Sequence, residues 1–137
     1  MKSREVATAS ELLAASSDST VAAIVVKSNL TGLQTFRLSP GQTLSGATSG
    51  VVLHFAAGED GVQLSTDNRV ENLALETDPD RRALYNDTQV EHLGRLLLLR
   101  LRTIGTIRLL ANDKVRSGHI EAERITEGIV ASGGATS

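Results

Sequence analysis

Three stretches of the chain repeat one short pattern, and repetition at this spacing restricts the fold more than any other feature of the sequence. Asp67-Asn68-Arg69-Val70-Glu71-Asn72-Leu73 returns as Asp87-Thr88-Gln89-Val90-Glu91-His92-Leu93 and, more loosely, as Asp113-Lys114-Val115-Arg116-Ser117-Gly118-His119-Ile120. The anchor valines Val70, Val90 and Val115 lie 20 and 25 residues apart, the period of a solenoid rather than of a doubly wound sheet or a bundle. A parallel β-helix stacks short strands of successive coils, so one position must accept a similar side chain on every turn. Val70, Val90 and Val115 are therefore expected to be buried and stacked.

The pattern implies an all-β fold: a right-handed single-stranded parallel β-helix, the hand following the rule for parallel crossovers. A period near ~22 residues gives about five coils over residues 20–131. The chain divides into a capping helix over residues 1–19, the coils, and a flexible tail over 132–137. Ser3 or Thr8 is placed to cap a helix over residues 3–17, in which Val6, Ala9, Leu12 and Leu13 recur at helical spacing before Ser16-Ser17-Asp18-Ser19 breaks it. Such a helix can cover the open end of the first coil.

Short apolar runs and turns follow in alternation. Val21–Val26 reads as a strand buried on both faces. Phe36 and Leu38, then Val51, Leu53 and Phe55, then Val62 and Leu64 alternate with outward residues, among them His54, and are separated by Pro40-Gly41 and Gly58-Glu59-Asp60-Gly61. Brief strands at this spacing also occur in sandwiches. Residues 90–105 are open to two readings, since Val90, Leu93, Leu97, Leu101 and Ile104 also trace a helical face. As a strand, the segment points Leu97, Leu99 and Leu101 inward and Leu98, Arg100 and Arg102 outward.

The order of a helix, Ile24-Val25-Val26, Leu38-Ser39-Pro40-Gly41-Gln42-Thr43-Leu44-Ser45-Gly46, Gly61-Val62-Gln63-Leu64 and Asn68-Arg69-Val70-Glu71-Asn72-Leu73 resembles the opening of right-handed parallel β-helix proteins of the pectin-lyase-like superfamily. It is similar also to the start of longer bacterial β-helix proteins. The resemblance spans most of residues 8–130 and implies a fold more than an activity. It would imply a catalytic Arg or Lys beside acidic metal ligands, but the aromatic and basic motifs of those enzymes are absent here.

Chemistry is sparse along the chain. There is no Cys and no Trp, and Phe36, Phe55 and Tyr85 are the aromatic residues. That leaves no disulfide framework, thiolate metal site or sugar-stacking platform, and few surfaces for base stacking, so no nucleic-acid partner is expected. Neither a G-x-S-x-G elbow nor a phosphate-binding Gly-rich loop occurs, and no catalytic residue, cofactor or metal is assigned. Asn72, His92 and His119 each precede the apolar residue ending a repeat, so they are expected to stack as a polar ladder, with a titrating or metal-binding His pair as the sharper alternative. The loop Glu76–Arg82 reads as a surface turn or, less economically, a calcium site.

Charge is uneven. Residues 59–91 hold nine acids against three arginines, whereas residues 95–116 hold six cations against Asp113. Arg95, Arg100, Arg102 and Arg108 form either an ordinary solvated face or a handle for an acidic partner. Two functions follow as expectations: a noncatalytic scaffold or self-associating module, part of a longer bacterial protein and joined to another copy through its C-terminal coil, or an acidic-polysaccharide binding or lyase-type protein using those arginines. No apolar run reaches the ~20 residues that span a bilayer, and no signal core precedes the first coil. The compartment is cytoplasmic, or secreted or cell-surface if a signal peptide was removed.

Overall fold

Parallel strands wind into a β-solenoid of about four turns, with one short helix near its start. The computed structural model describes residues 2–48, 50–86, 94–108, 119–123 and 131–132. In chain order the elements are β1 (Lys2–Val6), α1 (Ala9–Ser17), β2 (Val21–Val26), β3 (Leu30–Leu33), β4 (Phe36–Arg37), β5 (Thr43–Gly46), β6 (Val52–Phe55) and β7 (Val62–Leu64). They continue with β8 (Arg69–Glu76), β9 (Arg82–Asn86), β10 (Arg95–Ile104), β11 (Thr106–Arg108), β12 (His119–Glu123) and β13 (Ala131–Ser132).

Two sheets face one another across the core. The larger runs β1-β2-β5-β8-β10-β12, with β3 on β6 and β6 on β8; the smaller runs β4-β7-β9-β11-β13. Register sets the coil length: Thr43 pairs with Arg69 and Arg69 with Leu97, steps of 26 and 28 residues. Longer middle coils leave about four turns where a 22-residue period implied five. Val70 is buried as expected, but its stacking partners are Leu44 and Leu98. Val90 and Val115 lie outside the described residues.

β8 and β10 each serve two stretches of a coil. Arg69–Glu71 pair with β5, whereas Ala74–Glu76 pair with β6. The bend between them is Asn72, at φ 59°, and in the next coil Arg100 holds the same place at φ 51°. One left-handed residue in a strand resets its alternation, so Val70 and Leu73 both point inward, as do Leu98 and Leu101. The helical alternative for this segment does not hold where it is described: Arg95–Ile104 are strand, with Leu97 half-buried and Ile104 exposed. The corner also corrects the expected phase: Leu96 and Leu98 are buried while Leu97 and Leu99 are only half-buried. Leu101 is inward and Arg100 and Arg102 are outward, as expected.

The N-terminal end differs too. The helix begins at Ala9, not residue 3, with Thr8 as its cap: Thr8 Oγ1 accepts from Glu11 N–H at 3.1 Å. Lys2–Val6 instead lie parallel to β2, where backbone pairing and the burial of Val6 outweigh local helical preference. Leu12 and Ala15 of α1 are fully buried and join the core of the first coils. Ser132, assigned to a tail, is paired with Arg108 in β13.

The corner fixes which leucines tolerate charge. Leu98→Asp and Leu101→Asp should each cost more than about 3 kcal/mol or abolish folding, because each buries an unpaired carboxylate. Leu99→Asp should leave a folded protein with a clearly smaller loss, read as the urea midpoint by circular dichroism; equal damage at 98 and 99 would contradict the corner.

Candidate functional site

The most organised polar chemistry lies inside the solenoid. Gln42 and Asn68 are fully buried, one coil apart, immediately before the register partners Thr43 and Arg69. Each follows a buried serine by three residues, Ser39 and Ser65. The Asn68 Oδ1 accepts from Ser65 N–H at 2.7 Å, and its Nδ2 donates to the Ser39 and Gln42 carbonyls of the coil before, at 3.0 and 3.1 Å. Gln42 repeats the geometry one coil earlier. Its Oε1 accepts from Ser39 N–H at 2.8 Å, and its Nε2 donates to the Ala15 and Asp18 carbonyls at 3.1 and 3.0 Å. The hydroxyls match: Ser65 donates to the Leu38 carbonyl and Ser39 to the Ser16 carbonyl, at 2.8 and 2.7 Å.

Carbonyls at the end of α1 thus receive the donors that a coil would otherwise receive. The Ala15 and Asp18 carbonyls already accept from the Asp18 and Val21 N–H groups, and the Gln42 amide takes a second acceptor site on each, so the ladder reinforces the helix's C-terminal cap. Beyond Asn68 the column changes character, because Leu96, fully buried, precedes Leu97, the register partner of Arg69. No buried side-chain nitrogen or oxygen among the described residues lacks a partner.

The ladder read from the sequence is not the one formed. Asn72 sits at the left-handed corner, where its Nδ2 donates to the Gly46 carbonyl at 3.1 Å. His119 pairs in register with Arg95, well away from Asn72 along the coil, and His92 lies outside the described residues. The repeat carrying the actual ladder, Leu38-Ser39-x-x-Gln42-x-Leu44 and Leu64-Ser65-x-x-Asn68-x-Val70, is visible in the sequence at 26 residues. Its signal was a Ser followed three residues later by Gln or Asn, inside apolar flanks.

The arginines do not share one surface. Arg95, Arg100 and Arg102 lie exposed along β10, but Arg108 is on β11 of the other sheet. Arg100 approaches Glu71 at 3.6 Å, and Arg69 holds the same carboxylate at 3.0 Å. Arg102 borders a shallow depression of about 150 Å³ with Val52, Ala74, Glu76, Thr103 and Ile104. Glu76 also faces His54, an outward residue as expected, at 3.9 Å.

The acidic turns tie coils together. Asp78 accepts from Gly58 N–H at 3.0 Å, and Glu59 accepts from Thr35 N–H at 2.9 Å. Asp60 accepts from both the backbone and the guanidinium of Arg82, at 2.9 and 2.8 Å, while Arg82 stacks 3.9 Å over the Tyr85 ring. Gly61 follows because a Cβ there would run into the Ala83 carbonyl. Burial pushes the Asp60 carboxyl upward, but the Arg82 hydrogen bonds and charge outweigh it and hold the group below its ordinary value. Among the described residues, no group of three or more acids and histidines is placed to hold a metal ion, and no helix is long and apolar enough to cross a membrane.

No family model matches the chain, and no curated protein and no solved structure matches it.

Two measurements test these bonds. Asn68→Ala strands Ser65 N–H in the core and takes one of two donors from each of the Ser39 and Gln42 carbonyls, so it should lower unfolding free energy by about 1–3 kcal/mol. Asp60 has a folded pKa below its unfolded one, so its contribution is complete above 3.8 and is lost as pH falls through the folded value. Urea midpoints measured from about pH 5 down to about pH 2 should therefore fall less steeply in Asp60→Asn than in the parent chain.

Proposed function

We propose that the chain is a noncatalytic β-solenoid module, a scaffold that joins another copy of itself and forms part of a longer bacterial protein. The observation that carries this reading is the use made of polar side chains. Gln42, Ser65 and Asn68, the polar groups best sheltered from water among the described residues, and the buried Ser39 bond backbone of the neighbouring coil or of α1. Outside, Asp60, Glu59 and Asp78 likewise bridge successive turns. Polar chemistry here is spent on stacking.

The joining surface in this reading is the C-terminal coil. β12 and β13 are the last strands of their sheets among the described residues, and strand edges pair with available edges. Like ends meeting give a closed twofold dimer. The pectin-lyase-like resemblance is part of the proposal at the level of coil architecture. An acidic-polysaccharide role is the second reading, favoured by Arg95, Arg100 and Arg102 sharing β10 and by the depression that Arg102 borders. The scaffold reading is preferred because Arg108 faces elsewhere and Arg100 is engaged by Glu71.

Light scattering should show a dimer that strengthens as salt is added, since salt screens the cationic residues of β10 and β11 near the contact. A salt-independent monomer at high protein concentration would overturn the module reading. A rise in melting temperature with uronate oligomers, or an ultraviolet-absorbing lyase product, would establish the second reading instead.

A further inference from the structure

The first strand covers an association-prone edge, that of β2, and little side-chain burial holds it there. β2, Val-Ala-Ala-Ile-Val-Val, is six residues long, carries no charge and buries Val21, Ile24 and Val26. One edge of β2 pairs with β5 and the other only with β1. Short uncharged β-branched runs of this kind recruit further strands when their edge is bare. β1 is the opposite in composition. Lys2, Ser3 and Glu5 are exposed, Arg4 is half-buried and Val6 alone is buried.

The side-chain ties of β1 lie on the surface. Glu5 meets Lys27 and Arg4 meets Asp18, each at 3.7 Å with both partners about a third or more exposed, and such pairs contribute little in water. The firm points are the parallel backbone pairing with β2, the Val6 side chain and the bond from Lys27 N–H to the Val6 carbonyl at 2.8 Å. Between β1 and α1 the chain has only Ala7 and Thr8. That joint is held by the Glu11 carboxylate, which accepts from Ala7 N–H at 2.8 Å, and by Ser28 Oγ, which donates to the Ala7 carbonyl at 3.2 Å.

We propose that β1 is an exchangeable strand: it leaves its own β2 and takes the same place on β2 of a second copy, so that two chains swap first strands in a twofold pair. The partner's β1 is the segment whose valine, charges and register already fit this edge. Closed and exchanged forms make the same strand contacts and differ at the Ala7–Thr8 joint, so protein concentration sets the balance. The strand is thereby both a guard against uncontrolled pairing and the means of a defined one. The contact lies at the opposite end of the stack from the C-terminal coil and does not rest on the reading given above.

The 137-residue chain has no cysteine, which permits a direct test in it without further substitution. Ser3 and Ala23 are register partners on neighbouring strands. A chain carrying Ser3→Cys is mixed with one carrying Ala23→Cys and treated with a short bis-maleimide. Exchange gives a covalent heterodimer whose yield rises with protein concentration and several-fold further when both chains carry Glu11→Ala. A chain with both substitutions, held dilute, should bridge within itself. Failure of that internal bridge, or its formation with no heterodimer at any concentration, would overturn the proposal. So would equal heterodimer yield when Ala23→Cys is replaced by Arg37→Cys, which lies exposed on β4. Association through the C-terminal coil alone brings no residue 3 beside a residue 23 and gives no such product.

Discussion

The start of this solenoid depends on the backbone of one coil being within reach of a buried amide in the next. Parallel strands satisfy most peptide groups along the sheets, but the turn entering each coil leaves carbonyls and N–H groups that water cannot reach. Gln42 and Asn68 close these gaps, each accepting from its own turn and donating to two carbonyls behind it. A leucine in either place would fill the volume and leave the turn unsatisfied. The side chain thereby fixes register: a slip by one residue would bring the wrong group inside.

The same bonds explain how a helix can begin a stack of strands. A helix end and a coil turn both offer carbonyls that can accept a second hydrogen bond, and Gln42 with Ser39 treats Ala15, Ser16 and Asp18 as Asn68 with Ser65 treats the turn behind it. α1 is short, and nine residues seldom hold a helix alone in water. Its order comes from this interior cap together with buried Leu12 and Ala15.

Much of the architecture was legible in residues. Inward Leu53, Phe55, Val62 and Leu64 follow from alternation, and all four are buried. The vertical partners were harder, because the most similar segments are not the ones that stack. Val70 resembles Val90 in context but meets Leu44 and Leu98. Coil length is set by turns of unequal size, and a turn leaves no periodic mark. Asn72 at a left-handed corner is a residue type suited to it, whereas Arg100 in the same role announces nothing. One such residue inverts the facing of every leucine before it. The candidate chemistry was the least legible: the stacking of His and Asn was inferred from a repeat in the wrong register, and the buried Ser–Gln and Ser–Asn units were hidden by their ordinary polarity.

The change from Asn68 to Leu96 along the column gives the rod a mechanical direction. Where amides bridge successive coils, separating them along the axis breaks several directional bonds at once, and they break over a short extension. At Leu96 the same column contributes apolar contact in place of amide bonds, and the coils there are joined by the β8–β10 backbone ladder and by Arg95 N–H on the Asp67 carboxylate. Separating the first coils along the axis therefore breaks side-chain amide bonds in addition to strand pairing, whereas separating the coils at Leu96 breaks strand pairing and apolar contact.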